Sequence, residues 1–272
     1  MISDLFKSIA KRRSVRTFDG RALSAEDLSS IQNFTKSIKN PFNIPVEFKF
    51  LSAKESGLNC PVVLGTDLYV GGKIKKGANA SVAFGFSFEM LLLYAQSLGV
   101  GSVWLGGTMN RPAFERAMNL SEDEIMPCAS PLGYEAEKLS LRESVMRKAI
   151  KADERLPFEE LFFTNSFKNP LTKEKAGDIL GALEGVRLAP SAVNKQPWRA
   201  VIVNDTVHFY LKRSKGFSYN ESHDMQAVDM GIALCHFYLG LIANGKTAFF
   251  EVNNPKIEGD NELEYVASYA YK

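Results

Sequence analysis

Apolar residues in this chain gather into two long blocks and a series of shorter periodic runs. From Ser81 to Leu98 nearly every position is apolar and Glu89 is the only charge, which predicts a helix buried on all sides. Ala227 to Asn244 predicts a second helix of the same kind. The shorter helical runs are amphipathic. Ser3 to Lys11 puts Leu5 and Ile9 on one face. Ser24 with Asp27 makes a capping-box-like start for a helix through Leu28 and Ile31. Pro112 suits the first turn of a short helix, and Ser121 with Glu124 marks another. Leu141 to Lys151 reads as helix, as does the stretch that Thr172 caps and that runs to Leu188. Strands follow the other period. Val46, Phe48 and Phe50 alternate with Glu47 and Lys49. Ile125 to Leu132 is a strand with two prolines, hence an edge or an irregular segment. Ala200 to Val203 and Val207 to Leu211, joined at Asn204-Asp205, read as a hairpin. Leu263 to Tyr271 is a closing strand.

The pattern repeats. Gly85 and Gly99 bracket thirteen residues of the first apolar helix; Gly231 and Gly245 bracket thirteen of the second. Each helix is followed by a short apolar run, Ser102 to Leu105 and Thr247 to Val252. Lys49-Phe50-Leu51 after Pro45 parallels Ala200 to Val203 after Pro197. The chain therefore reads as two diverged copies, roughly 1–145 and 146–272. No Pro- or Ser-rich linker separates them, so residues 1–272 are expected to form one compact unit with a continuous core.

Composition narrows the function. With 272 residues, 45% hydrophobic and 24% charged, the chain matches an ordinary soluble globule. A net charge of +2 makes no case for nucleic acid or an anionic membrane. Met230 to Ala243, the longest apolar stretch, is too short to span a bilayer and contains His236. Cys60, Cys128 and Cys235 show no CxxC and suit packing roles in a reducing compartment. His208, His223 and His236 lack metal-ligand spacing and read as surface or core residues; no metal is expected. The N-terminus carries no signal-peptide pattern, and the expected location is cytoplasmic.

Two loops carry candidate chemistry. Ala189-Pro190-Ser191-Ala192-Val193-Asn194-Lys195-Gln196-Pro197-Trp198 joins a helix to an apolar strand. Its prolines stiffen it, and Ser191, Asn194 and Gln196 supply donors and acceptors for a planar polar ligand. Lys11-Arg12-Arg13-Ser14-Val15-Arg16-Thr17-Phe18 offers Arg12 and Arg16 four apart, on one face of a helical turn, as a site for phosphate or carbonyl oxygen. A third match is rejected. Gly240 to Thr247 satisfies G-x-x-x-x-G-K-[ST], but a phosphate loop needs a strand before it and a helix after it. Here the order is helix then strand, and Gly245 is a helix C-cap.

R-x-S-x-[RK] at Arg12 to Arg16 and APS-x-x-N-x-QPW at Ala189 to Trp198 resemble the two signatures of the FMN-dependent nitroreductase family. Leu98-Gly99-Val100-Gly101-Ser102-Val103-Trp104-Leu105-Gly106-Gly107 and Pro131-Leu132-Gly133-Tyr134 resemble two further family segments. The motif order departs from the family's, since the PS-x-x-N loop comes last; the duplication explains this. Family members are usually homodimers with flavin at the subunit interface, so the chain resembles the family's pseudo-dimeric, single-chain branch. The resemblance implies an α+β nitroreductase-like fold of two halves, each a mainly antiparallel sheet packed by helices. It implies a monomer acting as a fused dimer, binding one FMN per chain and using NAD(P)H to reduce nitroaromatics, quinones or similar small acceptors by alternating hydride transfer. The implied cofactor-binding residues are Arg12, Arg13, Ser14, Arg16 and Leu105, with Gly106 and Gly107 bringing backbone close to the flavin N5. From the second half come Pro190, Ser191, Ala192, Asn194 and Gln196, and Lys138 or Arg142 would reach the phosphate. No side chain is expected to be catalytic. The mirror site should be dead, because its arginine segment reads Lys151-Ala152-Asp153-Glu154-Arg155 and its loop, Asn40 to Val46, lacks the Ser and Gln. The alternatives are a flavin-binding protein without turnover, a chain that has lost flavin, and a nucleotide-binding NTPase.

Overall fold

The computed structural model describes residues 1–217, 219–220, 223–259 and 262–272. The first half opens with α1 (Ile2–Lys11) and α2 (Ala25–Thr35), the latter capped by Ser24 Oγ accepting from the Asp27 amide. Strand β1 (Glu47–Ser52) leads through the short α3 (Ala53–Ser56) to β2 (Leu68–Lys75). Helix α4 (Ala80–Ser97) is the first apolar block, buried nearly all round. After it come β3 (Gly101–Ser102), α5 (Arg111–Ala117), β4 (Glu124–Ile125), β5 (Ala129–Gly133) and α6 (Leu141–Ala149).

The second half has α7 (Phe158–Leu161), β6 (Phe162–Thr164) and β7 (Ser166–Pro170), then α8 (Leu180–Leu188). The hairpin β8 (Trp198–Val203) and β9 (Thr206–Lys212) turns at Asn204-Asp205, where Asn204 takes φ +51°. Helix α9 (Met225–Ala243) is followed by β10 (Ala248–Glu251) and β11 (Leu263–Tyr271).

The two sheets repeat one plan. The first runs β1-β2-β5-β3, and the second contains β8-β9-β11-β10 in the same order, extended by β6 and β7 beyond β8. Among the described residues, the pairings between these strands are antiparallel except β6 with β8. Helices α4 and α9 cross at their glycines. A Cβ on Gly85 would lie 2.1 Å from the Val228 carbonyl oxygen, and one on Gly231 2.0 Å from that of Val82. Val82 precedes Gly85 by three residues, as Val228 precedes Gly231. The contact is therefore reciprocal, as across a two-fold axis. One core cluster takes side chains from both halves, from Leu5 to Tyr271.

Several expectations fail for local reasons. Ser121 does contact Glu124, its N and Oγ lying 3.1 and 2.6 Å from Oε2, but the contact closes a turn into β4 and no helix forms. Lys73 holds the same oxygen at 3.0 Å from across the sheet. Thr172 makes no side-chain cap; two turns of 3-10 helix follow it, and Gly177 at φ +58° delays α8 to Leu180. The strand expected over Ile125 to Leu132 breaks between β4 and β5, around Pro127. At 19 residues α9 is long and apolar enough to cross a bilayer, yet it lies mostly buried in the core.

Gly245 ends α9 with φ +75°, and β10 follows, so the free amides of a helix start are missing from the G-x-x-x-x-G-K-T segment. Lys246 instead pairs with Asp178 on a partly exposed surface. Lys246→Ala should cost no more than about 1 kcal/mol in denaturant unfolding, and calorimetry should find no ATP binding to the wild type. Micromolar ATP binding lost on this substitution would revive the phosphate-loop reading.

Candidate functional site

A chamber of about 410 Å³ opens between the halves, a size within the usual range for small-molecule sites, roughly 300–1,000 Å³. Ser14, Arg16, Val103, Trp104, Gly106 and Gly107 line it from the first half, and Pro190, Ser191, Ala192, Val193, Met225 and Asp229 from the second. A smaller annex of about 80 Å³ shares Ser14, Ile150, Pro190 and Ser191 with it and is bordered by Arg12, Arg13, Arg147 and Arg155. Together they form an apolar slot with a cationic end.

The arginine segment gets there by a different geometry from the one expected. Helix α1 stops at Lys11, and Arg12 is extended at φ −65°, ψ 129°. Ser14 bridges in parallel to Ser102, and the Val15 amide donates to the Ser102 carbonyl at 2.9 Å. Side chains of an extended segment alternate sides, so Arg12, Ser14 and Arg16 share one face through a period of two. Glu143, buried on α6, accepts from the Arg16 amide at 3.3 Å and from Thr17 Oγ1 at 2.8 Å, and so fixes the segment.

The guanidiniums are not fully satisfied. Arg12 Nη1, Arg16 Nη1 and Arg155 Nε are buried without a hydrogen-bond partner. Burial lowers the Arg16 pKa, opposed by nearby Glu143, and burial together with neighbouring Arg12 lowers that of Arg155. Asp153 pairs with Arg147 at 2.5 Å, and Glu135 with Arg13. Buried cations packed side by side with N–H groups to spare are what an anionic ligand would complete.

The Pro190–Gln196 loop is strained and pinned. Val193, Asn194 and Gln196 have φ of 51°, 54° and 49°; a β-branched residue there is a true outlier, of the kind that gathers at ligand sites. Val193 nonetheless faces the chamber, 56% exposed. Asn194 donates to the carbonyls of Lys151 and Glu154 at 2.7 and 3.0 Å, and the Gln196 amide donates to Ser191 Oγ. The Ala192 amide donates to both oxygens of Asp229, at 3.0 and 3.1 Å. Asp229 on α9 is almost fully buried, and burial raises its pKa well above the ordinary carboxylate value. Its stabilising contribution is therefore complete below about pH 4 and is lost as pH rises through the raised pKa. Asp229→Asn keeps an acceptor for Ala192 and removes the charge. The melting temperature of the wild type should fall relative to the variant as pH rises above about 4; parallel profiles would show that the Asp229 pKa is not raised.

Other expected ligands lie elsewhere. Gln196 is buried, with Oε1 accepting from the Leu156 amide at 2.9 Å and Nε2 directed to the Asn194 carbonyl, so it holds the loop and borders neither cavity. Leu105 exchanges backbone hydrogen bonds with Ala129 and points into a second core cluster. Lys138 is exposed, and Arg142 is engaged by the Pro61 carbonyl; neither borders the chamber or the annex. The Lys151–Arg155 segment is not a mirror motif, since Ala152, Asp153 and Arg155 border the same annex as Arg12. In the mirror loop the polar and aromatic side chains have partners of their own. Asn40 satisfies its own loop and Ser87, and Phe42 meets Phe250 edge-on at 4.8 Å.

Sequence reading missed Asp229, Arg111 and His223. Arg111 donates to the carbonyls of Gly106, Met126 and Pro127, which sets the Gly106 turn. His223, expected at the surface or in the core, lines the chamber, its Nδ1 buried without a partner and its pKa lowered by burial and then by Arg111. A lone acid or imidazole beside an apolar helix carries no pattern to find it by. Trp104 is half-buried on the chamber wall, whereas Trp198 is fully buried.

A family model described as "Putative TM nitroreductase" matches residues 4–241. Among solved structures the chain is similar to a "putative nitroreductase" from Thermotoga maritima, with a TM-score of 0.63 and 19% identity over 98% of this chain and 93% of that one. It is also similar to a nitroreductase family protein from Clostridium novyi (TM-score 0.43, 17% identity, 49% of this chain and 86% of that one). An FMN-dependent nitroreductase from Clostridium difficile matches at TM-score 0.42 and 17% identity, over 52% of this chain and 90% of that one. No curated protein matches.

Proposed function

The chain belongs to the TM1586-like nitroreductase family, and from that premise we propose that it is an FMN-dependent NAD(P)H oxidoreductase, a dimer of half-chains fused into one unit with one flavin site. The observation that carries the reading is the row of buried, unpartnered arginine N–H groups at one end of an apolar slot. Those residues fit a flat ligand that ends in a phosphate. The repeated sheet order and the reciprocal glycine contact support the fused-dimer reading, and the Phe42–Phe250 contact supports a single site.

Arg12 and Arg155, with Arg13 and Arg147 beside them, would hold the phosphate through charge-assisted hydrogen bonds. Ser14, Arg16, Pro190 and Ser191 would line the ring. FMN held there would supply the redox chemistry, hydride transfer between a nicotinamide and a small acceptor. The chain's own part is positional and electrostatic. Arg16 is a fixed cation in a half-buried wall, where it favours negative charge on whatever lies against it. Val103, Trp104, Met225 and Ile232 present apolar surface that excludes water from the slot. Arg111 and Asp229 hold the two facing loops at Gly106 and Ala192, so that neither has to be ordered when ligand enters.

Flavin released from denatured, reconstituted protein should measure one per chain, and anaerobic NADH or NADPH should bleach its visible bands. A ratio near two would overturn the single-site reading. Bound flavin that neither nicotinamide reduces would leave a binding protein without turnover.

A further inference from the structure

Glu89 is a fully buried carboxylate in the middle of α4 that borders neither cavity. An acid in such a place is costly unless its oxygens are matched. Here three groups match it. Trp104 Nε1 donates to Oε2 at 2.9 Å, His236 Nε2 lies 2.9 Å from Oε1, and Arg12 Nε lies 3.5 Å from Oε1. The second nitrogen of His236 faces the Gly185 carbonyl of α8 at 2.8 Å. Burial would raise the Glu89 pKa, but Arg12, His236 and Trp104 outweigh it and hold the carboxyl below its ordinary value. The chain of contacts runs Gly185, His236, Glu89, Arg12, and it crosses from the second half to the first.

Its end is the informative part. The Arg12 side chain is 6% exposed, its Nε is turned to Glu89, and its Nη1 has no partner while the residue borders the annex. A well-packed apolar group in place of a buried ion pair is often as stable, so stability alone does not explain a carboxylate here. An arginine with one edge tied down and one N–H left over is pre-set for a ligand, because little rotamer freedom remains to be lost on binding.

We propose that Glu89, anchored by His236 from the other half, is a positioning residue that presents Arg12 to the ligand's phosphate and so sets the preference for phosphorylated over unphosphorylated flavin. The proposal rests on the flavin reading above. It also makes phosphate selectivity depend on how the halves dock, since removing the His236 anchor loosens an arginine on the opposite half.

The test is equilibrium binding of FMN and of riboflavin to flavin-free full-length protein, followed by quenching of flavin fluorescence, for wild type, Glu89→Gln and Arg12→Ala. Glu89→Gln should weaken FMN about ten- to hundred-fold, the size seen when outer partners of a bound ion are removed, and leave riboflavin unchanged. Arg12→Ala should do the same, and the double variant should be no weaker than Arg12→Ala alone. An equal loss for both flavins, or no loss, overturns the positioning role. If Glu89→Gln does not fold, His236→Asn removes one anchor and must also narrow the FMN-to-riboflavin ratio; an unchanged ratio overturns the proposal. A wild type that binds neither flavin overturns the cofactor reading and this proposal together, whereas a selective wild type whose selectivity survives Glu89→Gln overturns this proposal alone.

Discussion

Gly231→Ala is expected to destabilise the protein by more than about 3 kcal/mol, or to prevent folding. Ordinary overpacking costs about 1–3 kcal/mol because side chains give way. Here the new methyl would meet the Val82 carbonyl oxygen at 2.0 Å, the Phe86 amide nitrogen at 2.6 Å and the Gly85 Cα at 2.8 Å, all of them backbone. Only separation of α4 from α9 would relieve the overlap, and that separation opens the shared core. The sign is diagnostic, because helix propensity alone favours alanine over glycine by about 1 kcal/mol. Gly181→Ala serves as the control: the nearest atom to its new methyl is Asn244 Nδ2 at 3.4 Å, and its stability should hold or rise. Urea unfolding of the three proteins decides. A Gly231→Ala variant within 1 kcal/mol of the wild type, taken as roughly the spread of an ordinary point mutation, would disprove the close crossing.

Arg16→Ala should weaken flavin binding about ten- to hundred-fold, the equivalent of one charge-assisted hydrogen bond of roughly 1.5–3 kcal/mol, and should slow flavin reduction. The flavin-free protein should respond the other way. Burial already lowers the Arg16 pKa, and its Nη1 has no partner, so the side chain is a burden until a ligand arrives. Flavin-free Arg16→Ala should melt at the same temperature as the wild type or higher, which is the trade between stability and activity seen at many sites. Affinity and stability falling together would make Arg16 a structural residue.

How much of this was legible in the sequence depended on how local the cause was. The two apolar helices, the Ser24 cap, the Asn204 hairpin and the closing strand are each determined by neighbouring residues, and their ends match to within a few positions. Ser121 with Glu124 carries the signature of a helix start, but the same side-chain contact serves a turn when Lys73 holds the acid from across the sheet. Arg12 and Arg16 share a face in either conformation, since positions four apart align in a helix and in an extended segment; the spacing could not tell which. The Lys151–Arg155 segment was assigned to the wrong side because linear order does not say which way a connector turns. Gln196 has the chemistry of a ligand-binding residue, yet a backbone amide at Leu156 claims it. Asp229 and His223 needed the packed structure, for each becomes notable only through what surrounds it.

Asn194 reaches back to the carbonyls of Lys151 and Glu154, so the connector between the halves is also part of the annex wall. A site shared by two separate chains is diluted as the chains are diluted, because one wall must first find the other. Here the second wall is tethered, and its effective concentration is set by a short ordered segment and not by the amount of protein present. The binding site should thus stay assembled at any dilution at which the chain stays folded, and ligand affinity should be independent of protein concentration down to single molecules.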